Sequence, residues 1–571
     1  MPTVVRSLQW ICASAVAAFS VPHAFAQDEG ALSSLLDPYR GERPGGAAVV
    51  IEDGEVIFAE AVGLADLERG AAFTLDTPVQ TGSVAKMFTA YAVVLLEQEG
   101  ALSFDDEVRG IIGELPDYGH PLTIRHLLNH QSGLRDQWGA FWMAGYGPSD
   151  LAEHEVMLRY ITRQEELDFA PGTEYNYVNS NYTLLAEIVQ RVSGMSFPAF
   201  LEERVFRPLG MTNTRAVSDA SALIPGRAES YVADGEGNFS RALFEAETFG
   251  PHNIVSTARD LGRFAALLEN PKGKLGLPVR QMRRMGRLAN GEETFYGMGL
   301  IELEWLGARH FHHFGVDAGY RAYVGAYPSV DAAVVLVGNA SDFNSPALSQ
   351  EIGAAAFPEE LARAEEEERE AAPLSADVIE ALSGTWAVTE GPGLRANNHR
   401  YEGPFAVRGG PAVEIMPSGE GLAIASRWAA PMVFGETRGG DLVIPTRMGD
   451  ITLRDPDRFG SEPDRITLEQ FGETVLERVV EEPAEDPARF AGRYYSHELQ
   501  TFYEIEAGEG GGLVLSHLRN GSADLEPAPG EGRFSGPWIF GAVQFEKAAE
   551  GGMEMFISYG RARRIPFQRT E

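Results

Sequence analysis

The sequence predicts an α/β (α+β) domain built from distant parts of the chain, followed by two small all-β domains. Three observations carry this. At 571 residues the chain exceeds what one hydrophobic core holds. Strand-like runs stand at Gly46–Gly63 and again at Glu302–Asn339, with apolar helical runs between them, the pattern of an α/β sheet assembled from distant parts of the chain. After Pro358 the composition shifts to short strands broken by Gly, Pro and Asp turns.

The elements follow in order. Arg6 precedes an apolar run, Trp10 to Val21, and Ala24-Phe25-Ala26 fits a small-x-small cleavage site before Gln27. Residues 1–26 therefore read as a secretory signal peptide, too short for a comfortable membrane span. The expectation is a soluble periplasmic or secreted protein without stable membrane insertion. Its single cysteine, Cys12, leaves with that segment, so no disulfide or thiol chemistry is expected. A formal net charge of −36 repels phosphate and excludes nucleic acid as a partner.

Gly46–Gly63 reads as a hairpin turning at Gly54. Val84 to Gln98 has no helix breaker and stops before Gly100, a buried helix with Ser83 at its first turn. Tyr182 to Val192, Pro198 to Val205 and Ala258 to Leu268 also carry helical periodicity. The first domain is taken as 27–357, and the Ala/Glu/Arg-rich stretch 358–380 as an acidic helical linker. LSGTWAV at Leu382 echoes FAGRYYS at Phe490, which divides the remainder into two β-barrel domains, 381–482 and 483–571.

Ser83-Val84-Ala85-Lys86 stands out because the chain has only four lysines, at 86, 272, 274 and 547. Residues three apart on a helix share a face. A lysine one turn into an apolar helix loses solvation, which lowers its pKa and lets it accept a proton from the serine. Arginine cannot do this. A serine nucleophile also needs an oxyanion site and a relay to the leaving group. Tyr177-Val178-Asn179, just before a helix, offers a hydroxyl and an amide. His313-Phe314-Gly315 offers a switchable charge and a glycine past which a substrate backbone can approach a strand edge. Strand alternation puts His313 on the face opposite His310 and His312, so no metal site is expected there, and no cofactor is expected. Asp317 could bind a substrate ammonium, but it reads first as an exposed loop carboxylate.

These three motifs, in this order, resemble the serine β-lactamase and penicillin-binding-protein superfamily, most closely its class C-like branch with D-aminopeptidases and esterases. PVQTGSVAKMFTA, PLTIRHLLNHQSGL, FAPGTEYNYVNSNYTLLAEIV, RPLGMTNT, NIVSTARDLGRF and HFGVDAGY extend the resemblance over Gly46 to Asn339. It implies a penicillin-binding/β-lactamase-like catalytic domain, with an antiparallel sheet and a helical subdomain, and lipocalin-like barrels, one of which sends a loop to the active site. It also implies Ser83 as acylated nucleophile, Lys86 as its activating neighbour and Tyr177 as general base and later acid. Asn179 would bind the substrate amide, and the backbone N–H groups of Ser83 and Val316 would form the oxyanion hole. His126 and His130 fall in a packing signature of the family.

Three departures concern substrate. Val178 stands where a serine is usual. Phe314 stands where a threonine helps bind a substrate carboxylate, and His313 replaces the lysine common in the third motif. Recognition of β-lactams is therefore not expected. The resemblance implies a D-aminopeptidase or D-amino-acid amidase acting on a small molecule or short peptide. A carboxylesterase and a weakly catalytic protein sensing cell-wall peptides are the alternatives. A homodimer stands as an open option.

Overall fold

Apolar residues alternate in two registers along the central strands, and each register finds its own helical cover. In the computed structural model, residues 29–570 are described. The exceptions are 243–245, 306, 362–371, several short stretches between 391 and 485, 529–530, 538–539, 549–550 and 560. The expected signal peptide and residues 362–371 of the expected linker helix lie outside the described residues. The hairpin strands β1 (Gly46–Glu52) and β2 (Glu55–Val62) join β3 (Ile301–Trp305), β4 (Ala308–Asp317), β5 (Tyr320–Tyr327) and β6 (Ala332–Gly338). The order is β3-β4-β5-β6-β1-β2, and β1 pairs with β6 from Gly46↔Gly338 to Glu52↔Ala332.

Val49, Ile51, Val335 and Val337 face one core, and Val50, Val334 and Leu336 face the other. Each buried side chain of this size contributes about 2 kcal/mol relative to exposure. The first core also takes helix α1 (Ala85–Gln98), helix α3 (Asn179–Ser193) and helix α4 (Ala258–Glu269). The second is closed by helix α5 (Ser345–Ala356). Helix α2 (Gln137–Met143) completes this set in a helical subdomain beside the sheet.

Helix α3 begins three residues earlier than Tyr182 because its polar first turn is buried and bonded. Ser180 Oγ donates to Arg135 O at 2.6 Å, and Ser132 Oγ donates to Asn181 Oδ1 at 2.6 Å. Helix α1 is preceded by a tight turn, Gly82–Val84. The expected helix over Pro198–Val205 splits into Phe197–Leu201 and a wider-wound turn, Glu202–Phe206.

Beyond Ala376–Leu382, a short helix, the described residues form strands and turns, with the short 3-10 turns Pro487–Phe490 and Glu509–Gly511 among them. Strands between Gly384 and Arg478 include a nine-stranded antiparallel sheet, and those from Gly492 to Arg569 close into an eight-stranded barrel. The sequence echo has a structural counterpart. Trp386 Nε1 donates to Leu382 O at 3.0 Å, and Tyr494 OH donates to Phe490 O at 2.8 Å. Each β unit thus opens on a buried aromatic tied to the carbonyl four residues back. The second barrel shares its core with α2, where Ala140, Phe141 and Met143 pack with Tyr494, Tyr503 and Phe567.

Candidate active site

The site is built where β4 runs past the end of β3. Pairing between the two stops at Ile301↔His312, so His313–Asp317 is bare on that side. The Ser83 turn fills the space. A Cβ on Gly315 would collide with Thr81 O and come within 2.9 Å of Ser83 N. Gly82 lies equally close to the Val316 backbone. The glycine expected to admit a substrate backbone therefore admits the nucleophile's own turn. The consequence is that the Ser83 and Val316 backbones are neighbours, as a pair of oxyanion-binding N–H groups must be.

Lys86 is fully buried on α1. Its Nζ lies 3.1 Å from Ser83 Oγ, 2.9 Å from Asn179 Oδ1 and 3.1 Å from Pro251 O. Burial pushes its pKa well below the ordinary lysine value. The Arg561 guanidinium adds to that shift and the Asp136 carboxylate opposes it. A neutral amine has two N–H bonds and one lone pair. Asn179 Oδ1 and Pro251 O can only accept, so they take both N–H groups. In the protonated form the third N–H points at Ser83 Oγ; once that proton is lost, the lone pair is left for the Ser83 hydroxyl hydrogen.

Tyr177 packs its ring against this amine, with Nζ 4.8 Å from the ring centre. The His130 ring packs at a tilt against the same ring, centres 4.3 Å apart, and His130 Nδ1 accepts from Val178 N–H. His130 thus buttresses the tyrosine loop. Asp136, the N-cap of α2, accepts from the Asn179 backbone N–H at 2.7 Å and from Asn179 Nδ2 at 2.9 Å. That fixes the Asn179 amide with its oxygen toward Lys86.

His313 is buried. Its Nε2 is 3.1 Å from Tyr296 OH and its Nδ1 is 2.8 Å from Phe314 O. Burial, with Lys86 nearby, holds its pKa well below the ordinary histidine value. The switchable charge expected of it is therefore absent near neutral pH. Val316 is the exposed residue of this edge, 54% accessible. Asp317 is not an exposed loop carboxylate. It is 8% accessible, and burial raises its pKa to about 6 against the pull of Arg227 and Arg321.

His310 and His312 stack on each other at 4.6 Å in the opposite core, where Tyr323 OH lies 2.8 Å from His310 Nε2. Burial keeps both neutral. Among the described residues no group of three or more His, Cys, Asp or Glu is arranged to hold a metal ion. No helix among them is long and apolar enough to cross a membrane.

The second barrel also reaches the site. Its last two strands, β7 (Met553–Tyr559) and β8 (Ala562–Arg569), turn beside α2. Arg561 O accepts the Asp136 N–H at 3.2 Å, and the Arg561 guanidinium lies 5.1 Å from the Tyr177 ring centre. Sequence reasoning singled out neither Asp136 nor Arg561. The only signal for Asp136 was its N-cap position before a Trp-containing helix, and for Arg561 there was none.

A family model described as Beta-lactamase matches residues 28–356. The D-aminopeptidase of Gluconobacter oxydans (strain 621H) is 27% identical over 494 residues, 86% of this chain and 86% of that protein. The D-aminopeptidase of Brucella anthropi is 30% identical over 284 residues, 50% of this chain and 53% of its own length. Two solved structures share the fold. The octameric penicillin-binding protein homologue from Pyrococcus abyssi has a TM-score of 0.52 at 21% identity, over 79% of this chain and 100% of that chain. SurE has a TM-score of 0.53 at 20% identity, over 79% and 98%. The family match covers more than half of the sequence and contains Ser83, Lys86, Tyr177, Asn179 and His313, so this chain belongs to the beta-lactamase family and is a hydrolase.

Proposed function

We propose that the protein is a serine hydrolase of the D-aminopeptidase type, acting on D-amino-acid amides or short peptides with an N-terminal D-residue through a Ser83 acyl-enzyme. One observation carries the reading: Lys86 Nζ is placed between two obligate acceptors and Ser83 Oγ. Ser83 Oγ attacks the substrate carbonyl while its proton passes to the Lys86–Tyr177 pair. The oxyanion rests on the N–H groups of Ser83 and Val316, and Tyr177 protonates the leaving amine. Water then enters, the ester bond breaks, and the proton returns to Ser83. The likeness to a D-aminopeptidase over 86% of both chains supports the substrate class. Export to the periplasm or beyond is proposed from the signal-like first 26 residues.

The test compares hydrolysis of a D-alanine anilide, its L-isomer, a short-chain nitrophenyl ester and a chromogenic cephalosporin. The D-anilide should be cleaved in preference to the L-isomer, with little turnover of the cephalosporin. Ser83→Ala should abolish turnover and labelling by a fluorophosphonate. Activity that survives Ser83→Ala removes the mechanism.

A carboxylesterase is the second reading. It is favoured by the neutral His313 and by Phe314, which leave the strand edge without a group to bind a substrate carboxylate. Rates confined to the nitrophenyl ester would select it.

A further inference from the structure

The strand edge lacks a cation, yet the site has one from elsewhere. Arg561 sits at the tip of the β7–β8 hairpin, and that tip is held firmly. Its carbonyl accepts from Asp136 N–H. Gly139 on α2 lies so close to Ala562 that any Cβ there would clash with the Ala562 methyl. Tyr503 OH, on the same barrel, donates to Met143 O at 2.8 Å at the end of α2. A side chain at this tip is therefore positioned before any substrate arrives.

The guanidinium forms an ion pair with Asp136 but no hydrogen bond to it, so its N–H groups are not used up by the protein. Arg561 Nε is 3.8 Å from Asp136 Oδ2, beyond hydrogen-bond reach, with the Arg561 side chain 36% accessible. Asp136 already accepts from Trp138 N–H, Asn179 N–H and Asn179 Nδ2. Neighbouring interface arginines are paired more closely. Arg135 is buried between Asp168 and Glu498, and Arg519 donates to both oxygens of Asp150. Among the described residues the Arg561 fork has no hydrogen-bond acceptor. It stands over the ring of the tyrosine that protonates the leaving group.

We propose that Arg561 is a specificity-determining residue that binds a carboxylate carried on the leaving part of the substrate, so that short peptides with a free C-terminus are preferred to the corresponding amides. The assignment to the leaving side rests on the acyl-transfer role given above to Tyr177. In a departing amino acid the carboxylate oxygens are about 3 Å from the nitrogen. The group that protonates that nitrogen and the group that holds that carboxylate must then be neighbours, as Tyr177 and Arg561 are. A planar two-pronged donor suits a carboxylate better than a neutral amide, which offers one acceptor and no charge.

The test uses the full-length Ser83→Ala protein, which cannot turn over, and two ligands, D-alanylglycine and D-alanylglycinamide, titrated by calorimetry. The acid should bind roughly tenfold to a hundredfold tighter than the amide, the range for a charge-assisted hydrogen bond. Adding Arg561→Gln should bring the ratio near one, and Arg561→Lys should keep part of the preference. Equal binding of the two ligands, tighter binding of the amide, or binding of neither overturns the proposal. So does a preference that survives Arg561→Gln. Turnover of the same pair by the unmutated enzyme separates the two readings. A carboxylate preference in binding with no cleavage of either peptide removes the aminopeptidase function and leaves the Arg561 site. Cleavage of both with no preference does the reverse.

Discussion

Lys86 Nζ lies 2.9 Å from Asn179 Oδ1, and that contact fixes what the lysine can do. The Asn179 amide cannot turn over, because its Nδ2 is committed to the Asp136 carboxylate at 2.9 Å. Its oxygen must therefore face the lysine, and the lysine must give it a hydrogen. An amine so placed, and held below its ordinary pKa by burial, directs its lone pair at Ser83.

Replacing Lys86 tests this directly. Lys86→Arg keeps a cation on the helix face but cannot surrender its proton, and Lys86→Met removes the base. Both should lower kcat by about 10²- to 10⁴-fold, the usual share of general base catalysis. Steady-state hydrolysis and the rate of fluorophosphonate labelling are the readouts. Full labelling at the original rate in either variant would remove Lys86 from the activation of Ser83.

The acidic limb of activity should move in opposite directions in two variants. The reaction requires neutral Lys86, so kcat/KM rises as pH passes upward through its lowered pKa. Arg561 lowers that pKa and Asp136 raises it. Arg561→Gln should therefore shift the limb to higher pH and Asp136→Asn to lower pH. The two histidines facing the amine, His313 and His252, are kept neutral mainly by burial. The same shift destabilises the fold as pH falls. The unfolded lysine binds its proton below about 10.4, while the folded one stays neutral until its lower pKa is reached. pH–rate profiles on a neutral ester substrate check both directions.

The sequence made the framework of this site readable and left its tuning hidden. Ser83 and Lys86 were legible because helix periodicity is local and lysine is scarce. The β1–β6 pairing was legible because apolar runs at both ends of the domain had to find cover. The neutrality of His313 was not legible, since it depends on burial against Tyr296, which lies 17 residues earlier on a segment with no distinctive pattern. Gly315 was read as room for a substrate, and the structure fills that room with Thr81 and Ser83. Asp317 was misread for the same reason: a carboxylate after a strand is usually solvated, and only tertiary packing by Arg227 and Arg321 makes a buried one tolerable. Arg561 is the extreme case, brought to Tyr177 by a barrel whose docking surface has no sequence signature.

Gly315→Ala should damage the nucleophile without touching it. The added methyl meets Thr81 O and Ser83 N, so the Ser83 turn must move away from Val316. A cost of about 1–3 kcal/mol in stability is expected for such overpacking. Because oxyanion donors act only when aimed correctly, kcat should fall at least about a hundredfold. Thermal unfolding and acylation rate, measured together, distinguish this from simple loss of fold. A variant as stable and active as the parent would place the oxyanion site elsewhere.

The interface between the catalytic domain and the second barrel should lose stability as pH rises, and Glu498 is the residue responsible. Its carboxylate is 3.3 Å from Arg135 Nη1, with both side chains 4% accessible. Burial raises its pKa to about 7, Arg135 pulls it down, and Asp168, Glu165 and Glu166 push it up again. In the unfolded chain the same group titrates near 4.3. Between these values the folded protein holds the extra proton, so stability declines as pH climbs through that window and the decline is complete just above 7. Glu498→Gln keeps the shape and an acceptor for Arg135 but cannot ionise. The melting temperature of the parent should drop relative to Glu498→Gln between about pH 5 and pH 8. Parallel melting curves for the two proteins over that range would show that the interface carries a fixed charge on Glu498, with Arg135 and not burial deciding its state.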